Sequence, residues 1–185
     1  LIYCVSGCAG IILVSAPAAY VLARIVFKGK GFINNIFVVS MSIPSVMLIL
    51  PLFKMATSLN LIGSRWTLII LYICINVPFG VFFLIGFFAS LPKALEEAAE
   101  IDGCTPDQAF WKIMFPLAQP GIMTLTIFNY ITIWNEYFMA LIFANKTELR
   151  TVSTGLQAIV QSMKYSGDWA GLFAGVIIVF LPTFL

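Results

Sequence analysis

The sequence contains no histidine, and its four cysteines form no C-x-x-C pair. A zinc site draws its ligands from those residue types, so none is expected, and no other metal or cofactor is indicated. There is no G-x-x-x-x-G-K-[ST] phosphate loop; Gly29-Lys30-Gly31 lacks both that spacing and a strand before it. With no Ser/His/Asp set and no paired carboxylates at depth, the chain carries no hydrolytic machinery of its own. Charge is scarce too, at 10% of residues where soluble domains have about a quarter. Too little polar surface is left to face water all round. The net charge of +2 makes no basic stripe of the kind nucleic-acid binding needs.

What is present is apolar. Hydrophobic residues make up 61% of the 185, and the mean hydropathy is +1.03. About 20 apolar residues suffice to span a bilayer as a helix. Leu1–Ala23 is uncharged and closes on Tyr20 and Arg24, an aromatic and a cation where interface residues belong. After a basic turn, Arg24–Gly31, a second uncharged run covers Phe32–Phe53, broken by Pro44 and Pro51. Its Asn34, Asn35, Ser40, Ser42 and Ser45 suit helix–helix hydrogen bonds or the lining of a water-filled path. Trp66–Pro92 is uncharged for 27 residues, with Gly80 and Gly86 suited to close packing. Gly121–Ala144 makes a fourth span and Trp169–Leu185 begins a fifth. Cys4, Cys8 and Cys74 lie in such runs, where a free thiol packs as a small hydrophobe. The chain opens without Met and stops inside an apolar run, and so reads as a piece of a longer polytopic chain. The expected fold is all-α, with residues 1–185 forming one transmembrane domain of about five spans.

One acid, Glu136, falls inside an expected span, in Trp134-Asn135-Glu136-Tyr137. An ionisable residue at membrane depth suggests a translocation pathway, shared with Asn129 and Asn135. Counting from Gly121 at 1.5 Å per residue, Glu136 lies about 22 Å along its helix. The plainer alternative is that it snorkels or pairs with a cation such as Lys146.

Five of the eight acidic residues sit in one stretch, Leu91–Gly121, stranded between apolar runs. The pattern predicts two short helices there. Ser90 caps the first, with Pro92 in its first turn and helix formers from Lys93 to Glu100. Gly103 permits a left-handed break. Thr105 caps the second, with Pro106 at its first position and Gln108 completing a capping box; Pro116 and Pro120 end it. Leu95, Ala98, Ala99 and Asp102 share one face by spacing, as do Phe110, Ile113 and Met114 on the second helix. Physics alone divides evenly between a solvated loop and a docking element.

The residues Glu97-Ala98-Ala99, then Gly103, then Ile113-Met114-Phe115-Pro116 carry more. Their order and spacing resemble the EAA motif of permease subunits in bacterial binding-protein-dependent ABC importers. Phe115 stands where that family has Leu. Four further stretches resemble the sugar-importing, maltose-type second permeases: Ala19–Arg24, Leu59–Gly63, Trp134–Tyr137 and Arg150–Val152. The resemblance implies a type I ABC importer permease fold of six spans. It implies that residues 91–120 form a coupling loop seated on a cytoplasmic ATPase subunit, with Glu97, Ala98, Ala99, Gly103, Ile113 and Pro116 in the contact. The implied partners are two ATPase subunits, a second permease and an extracytoplasmic solute-binding protein, and the implied location is the bacterial cytoplasmic membrane.

Lys and Arg divide five to five between the two sides, so the positive-inside rule rests on the compact 24–31 turn, where short loops weigh most. That turn and the 91–120 loop are both expected in the cytoplasm. Two other classes compete with an ATP-driven sugar permease: a non-sugar ABC permease, and a gradient-driven carrier using Glu136. An intramembrane enzyme has no nucleophile–base pair to support it.

Overall fold

The computed structural model describes residues 1–184, apart from the side chains of 164–166. All of its regular elements are helical, as expected of this composition. In order they are α1 (Ile2–Arg24), α2 (Lys30–Met41), α3 (Ser45–Ser58), α4 (Arg65–Ser90), α5 (Ala94–Ile101), α6 (Pro106–Ala109), α7 (Phe115–Leu117), α8 (Gln119–Asn135), α9 (Phe138–Phe143), α10 (Val152–Ser166) and α11 (Trp169–Phe184). A wide π-turn, Phe110–Met114, joins α6 to α7, and a 3₁₀ turn, Thr147–Leu149, precedes α10.

Two helices, α1 and α4, are each long and apolar enough to cross a membrane. A third span results if α2 and α3 count as one broken segment. The break comes at residues 42–44, where Pro44 disfavours helical backbone at its neighbour. Pro51, expected to break the run as well, lies inside α3. The expected unbroken span Gly121–Ala144 is also divided: α8 stops at Asn135 and α9 starts at Phe138. Glu136 therefore sits in a gap between helices and not on a continuous helical face. In the last expected span, Leu185 lies outside the described residues.

The chain groups into two compact units. One holds Cys8–Pro44 and Ile73–Asn129 and contains the acidic loop; the other holds Leu1–Gly7, Ser45–Tyr72 and Tyr130–Leu185 and contains Glu136. In the unit that contains the acidic loop, α1 and α4 approach closely at Gly80. A methyl group there would lie 2.5 Å from Ser15 Oγ and 3.3 Å from an Ile11 methyl carbon, so only glycine fits without displacement. Gly86, expected to do the same, faces open space. The core of this unit joins Ala19, Tyr20 and Leu84 to Phe110, Met114 and Ala118 of the loop.

In the Glu136 unit, the short stretches singled out in the sequence prove to be backbone punctuation. Asn60 and Gly63 adopt left-handed backbone, φ +54 and +75. The Leu61 carbonyl between them accepts from the Thr67 hydroxyl at 2.6 Å. Trp134 donates its indole N–H to the Val179 carbonyl at 2.8 Å, and its own carbonyl accepts from Ser153 Oγ at 3.0 Å. Thr151 caps α10 by accepting from the Thr154 N–H.

Candidate functional site: a rooted acidic loop and a helix-capping acid

The acidic stretch folds as α5 and, after a turn at Gly103 with φ +76, the helical path of α6, the π-turn and α7 that leads into α8. Its second helix begins as the sequence predicts. Thr105 Oγ1 accepts from the Gln108 N–H at 3.3 Å, and Gln108 Oε1 accepts from the Thr105 N–H at 3.1 Å, with Pro106 in the first turn. This capping box satisfies two backbone donors that α6 leaves without helical partners. Replacing Thr105 by alanine should cost about 1 kcal/mol. Hydrogen exchange at residues 105–109 should quicken, while the helices of the Glu136 unit keep their protection.

The other end differs from expectation. Ser90 does not start the loop's first helix; it closes α4, donating its hydroxyl to the Phe87 carbonyl at 2.7 Å. Serine side chains bond back to the preceding turn as readily as they cap a following one, and here the backward bond holds the hydroxyl against α4. Lys93 takes the N-cap position without a side-chain cap. Pro116 and Pro120 do not end the helical path either. Each stands in the first turn of the next helix, α7 or α8, where a missing N–H costs nothing.

The anticipated face of α5 splits in two. Ala99 is buried and Leu95 is partly buried, whereas Ala98 and Glu97 face outward. Ile101, 86% exposed, continues that outer face four residues after Glu97. The sequence reading overlooked Ile101, although its spacing from Glu97 and its place beside Asp102 and Gly103 were visible. Gly103 is exposed, and no atom lies within 4 Å of the position a Cβ would occupy. Ile113 is half-buried and Pro116 exposed. Phe110 and Met114, by contrast, are buried in the unit's core. The loop is thus anchored along its second half and presents a small, mixed apolar and acidic surface along its first.

Arg24 and Tyr20, on the last turns of α1, reach this loop. The Tyr20 hydroxyl donates to Glu96 Oε1 at 2.7 Å, and Arg24 Nε lies 3.4 Å from Glu96 Oε2. Arg24 Nη2 donates to the Leu91 carbonyl. Arg24 is therefore more than a headgroup cation.

The expected pathway residues are engaged locally. Glu136 Oε1 accepts from the Met139 N–H at 2.7 Å, and Oε2 accepts from the Ala140 N–H at 3.0 Å and from the Tyr72 hydroxyl at 2.8 Å. A carboxylate at a helix start satisfies orphan donors and faces the positive end of the helix dipole. None of these partners is Lys146. Asn129 is buried and donates to the Leu125 carbonyl at 2.9 Å; Asn135 is exposed and donates to the Ile131 carbonyl at 2.9 Å.

A feature the sequence did not reveal is a polar cavity of about 460 Å³ in the Glu136 unit. Thr154, Gln157 and Gln161 line it from one face of α10, with Tyr137, Asn145 and Arg150 opposite. Spacings of three and four residues align the α10 side chains. The signal was a Thr-x-x-Gln-x-x-x-Gln stripe in an otherwise unremarkable connection.

Comparison with known proteins agrees with this architecture. Residues 12–185 match the family described as the binding-protein-dependent transport system inner membrane component. The chain is 34% identical over 185 residues to the diacetylchitobiose uptake system permease protein NgcG of Streptomyces coelicolor, covering 100% of this chain and 61% of that protein. It is 35% identical to the sulfoquinovosyl glycerol transport system permease protein SmoH of Agrobacterium fabrum, covering 93% and 60%. It is 32% identical to the trehalose transport system permease protein SugB of Mycobacterium tuberculosis, covering 92% and 62%. The chain thus spans about three fifths of the length of these relatives. A crystal structure of a bacterial ABC transporter involved in the import of the acidic polysaccharide alginate superposes with a TM-score of 0.82 at 26% identity, covering 99% of this chain and 68% of that one. These relatives are transport components and not enzymes. Helical throughout its regular elements, and matched along nearly its whole length, the chain belongs to the inner membrane components of binding-protein-dependent transport systems.

Proposed function

We propose that the chain is the permease subunit of an ATP-driven importer for a sugar or oligosaccharide. A binding protein outside the membrane delivers the solute, a second permease completes the path, and two ATPase subunits supply the energy through residues 91–120. In this reading the 24–31 and 91–120 loops face the cytoplasm, and residues 1–185 act as one transmembrane domain.

The observation that carries the reading is the two-sided build of the loop. Phe110 and Met114 root it in the apolar core, while Glu97, Ala98, Ile101 and Gly103 stand clear on its outer side. A segment made only to connect two spans needs no such root. One made to be pushed by a soluble motor needs both a root and a free face. Ala99, Ile113 and Pro116 then support that face. The sugar class is supported by the solutes named for the diacetylchitobiose and trehalose permeases.

For solute contact we favour the polar cavity, where Tyr137 offers an aromatic flank and Asn145, Gln157 and Gln161 offer uncharged donors and acceptors. Asn129, Asn135 and Glu136 are secondary candidates, because each already has a local partner. The test is uptake of radiolabelled trehalose and diacetylchitobiose by cells expressing the whole transporter. Uptake of either sugar should persist when the proton gradient is collapsed and ATP maintained, and should stop when ATP is depleted. Uptake that follows the gradient would favour the carrier alternative, and ATP-driven uptake of non-sugars alone would leave the coupling role while removing the sugar.

A further inference from the structure

We infer that Tyr20, Arg24 and Glu96 form a joint that makes α1 and the docking helix α5 move as one body. The inference rests on the docking role proposed above. Tyr20 and Arg24 are four residues apart, so they project from the same side of α1. Both converge on one carboxylate of α5: the hydroxyl on Oε1 at 2.7 Å, the guanidinium on Oε2 at 3.4 Å. Arg24 also holds the Leu91 carbonyl, in the linker between α4 and α5. A single guanidinium therefore ties the end of α1 to both the docking helix and the strap that leads into it.

Burial makes the joint stiff. The Arg24 side chain is 6% exposed and that of Glu96 21%. Charges so far removed from water are screened weakly and attract strongly, and separating them would strand each in an apolar setting. The Tyr20 ring adds packing, with centroids 5.7 Å from Phe88 and 4.9 Å from Phe110. It thus touches α4 and the loop's buried half while its hydroxyl holds α5. Glu97, by contrast, points away and is free to meet a partner. The two adjacent glutamates divide the labour: Glu97 faces the motor, and Glu96 passes its displacement to α1.

The joint is a positioning device, so its removal should break transmission and spare attachment. The assay uses the whole transporter in proteoliposomes, with its own binding protein purified from sugar-rich medium with ligand in place. Stimulation of ATP hydrolysis by that binding protein reads transmission across the membrane domain. Co-purification of the ATPase reads docking. Glu96→Gln and Arg24→Met should each retain the ATPase yet lose at least five-fold in stimulation. Tyr20→Phe, which keeps the ring, should lose about two-fold. Arg24→Lys, which keeps the cation beside Glu96, should retain at least half of the wild-type stimulation. Unchanged stimulation in both single variants, an Arg24→Lys variant as impaired as Arg24→Met, or loss of the ATPase from Glu96→Gln would overturn the joint. A wild-type complex that holds no ATPase would instead overturn the docking role, and the joint with it.

Discussion

Gly103→Val is expected to abolish ATP-coupled transport while leaving the chain inserted in the membrane. The reason is conformational. At φ +76 a β-branched residue is strongly strained, at a cost of about 1–3 kcal/mol. No atom lies within 4 Å of the added Cβ, so crowding plays no part. The strain is relieved by reopening the turn, which swings α5 relative to the capped start of α6. Transport should fall by at least ten-fold, and the ATPase should no longer co-purify. Gly103→Asn is the control, because asparagine tolerates left-handed backbone; it should retain most of the activity. If valine were harmless, or asparagine as damaging as valine, the turn geometry would not be what matters.

Glu136→Ala should be the most destabilising change outside the loop. It removes the acceptor of two α9 amides and of the Tyr72 hydroxyl at once. Hydrogen bonds to a charged group contribute about 1.5–3 kcal/mol each and do not simply add, so a loss of about 3 kcal/mol is expected. The loss should appear as a lower thermal midpoint of the detergent-solubilised transporter. Glu136→Gln keeps one oxygen for the Ala140 N–H and the Tyr72 hydroxyl but turns its NH2 toward the Met139 N–H, so it should cost about 2 kcal/mol, less than alanine. The same variant separates mechanisms. A carrier that binds and releases a proton at Glu136 is silenced by glutamine, whereas an ATP-driven permease with a capping glutamate keeps its uptake. A stable Gln variant without uptake would move Glu136 into the transport mechanism.

The fold was legible where one residue type permits one outcome. Thr105, Pro106 and Gln108 announce a capping box, and Gly103 announces a left-handed turn, because few other conformations use those residues in that order. Long uncharged runs announce apolar helices for the same reason. What escaped were outcomes decided by distant partners. Whether Ser90 opens one helix or closes another depends on which backbone group it meets. The interruption at Glu136 has no glycine or proline to mark it, only a carboxylate that serves the helix after it. The meeting of Arg24 with Glu96 spans 72 positions, and no local pattern predicts it. The EAA resemblance found the loop but placed its weight on Glu97, whose neighbour makes the internal contacts. The polar cavity escaped because its stripe on α10 lies in a stretch without strong hydropathy.

The π-turn at Phe110–Met114 decides where the chain tolerates a change of length. It holds one more residue per circuit than the helix on either side. Deleting one of its five residues would therefore restore ordinary winding and leave everything that follows facing almost as before. Adding a residue, or deleting one from the regular helix that follows, would instead turn the later residues by about 100° and carry Ala118 and Ile122 away from the core. A one-residue deletion in the π-turn that spares Phe110 and Met114 should thus be tolerated far better than the same deletion in α8.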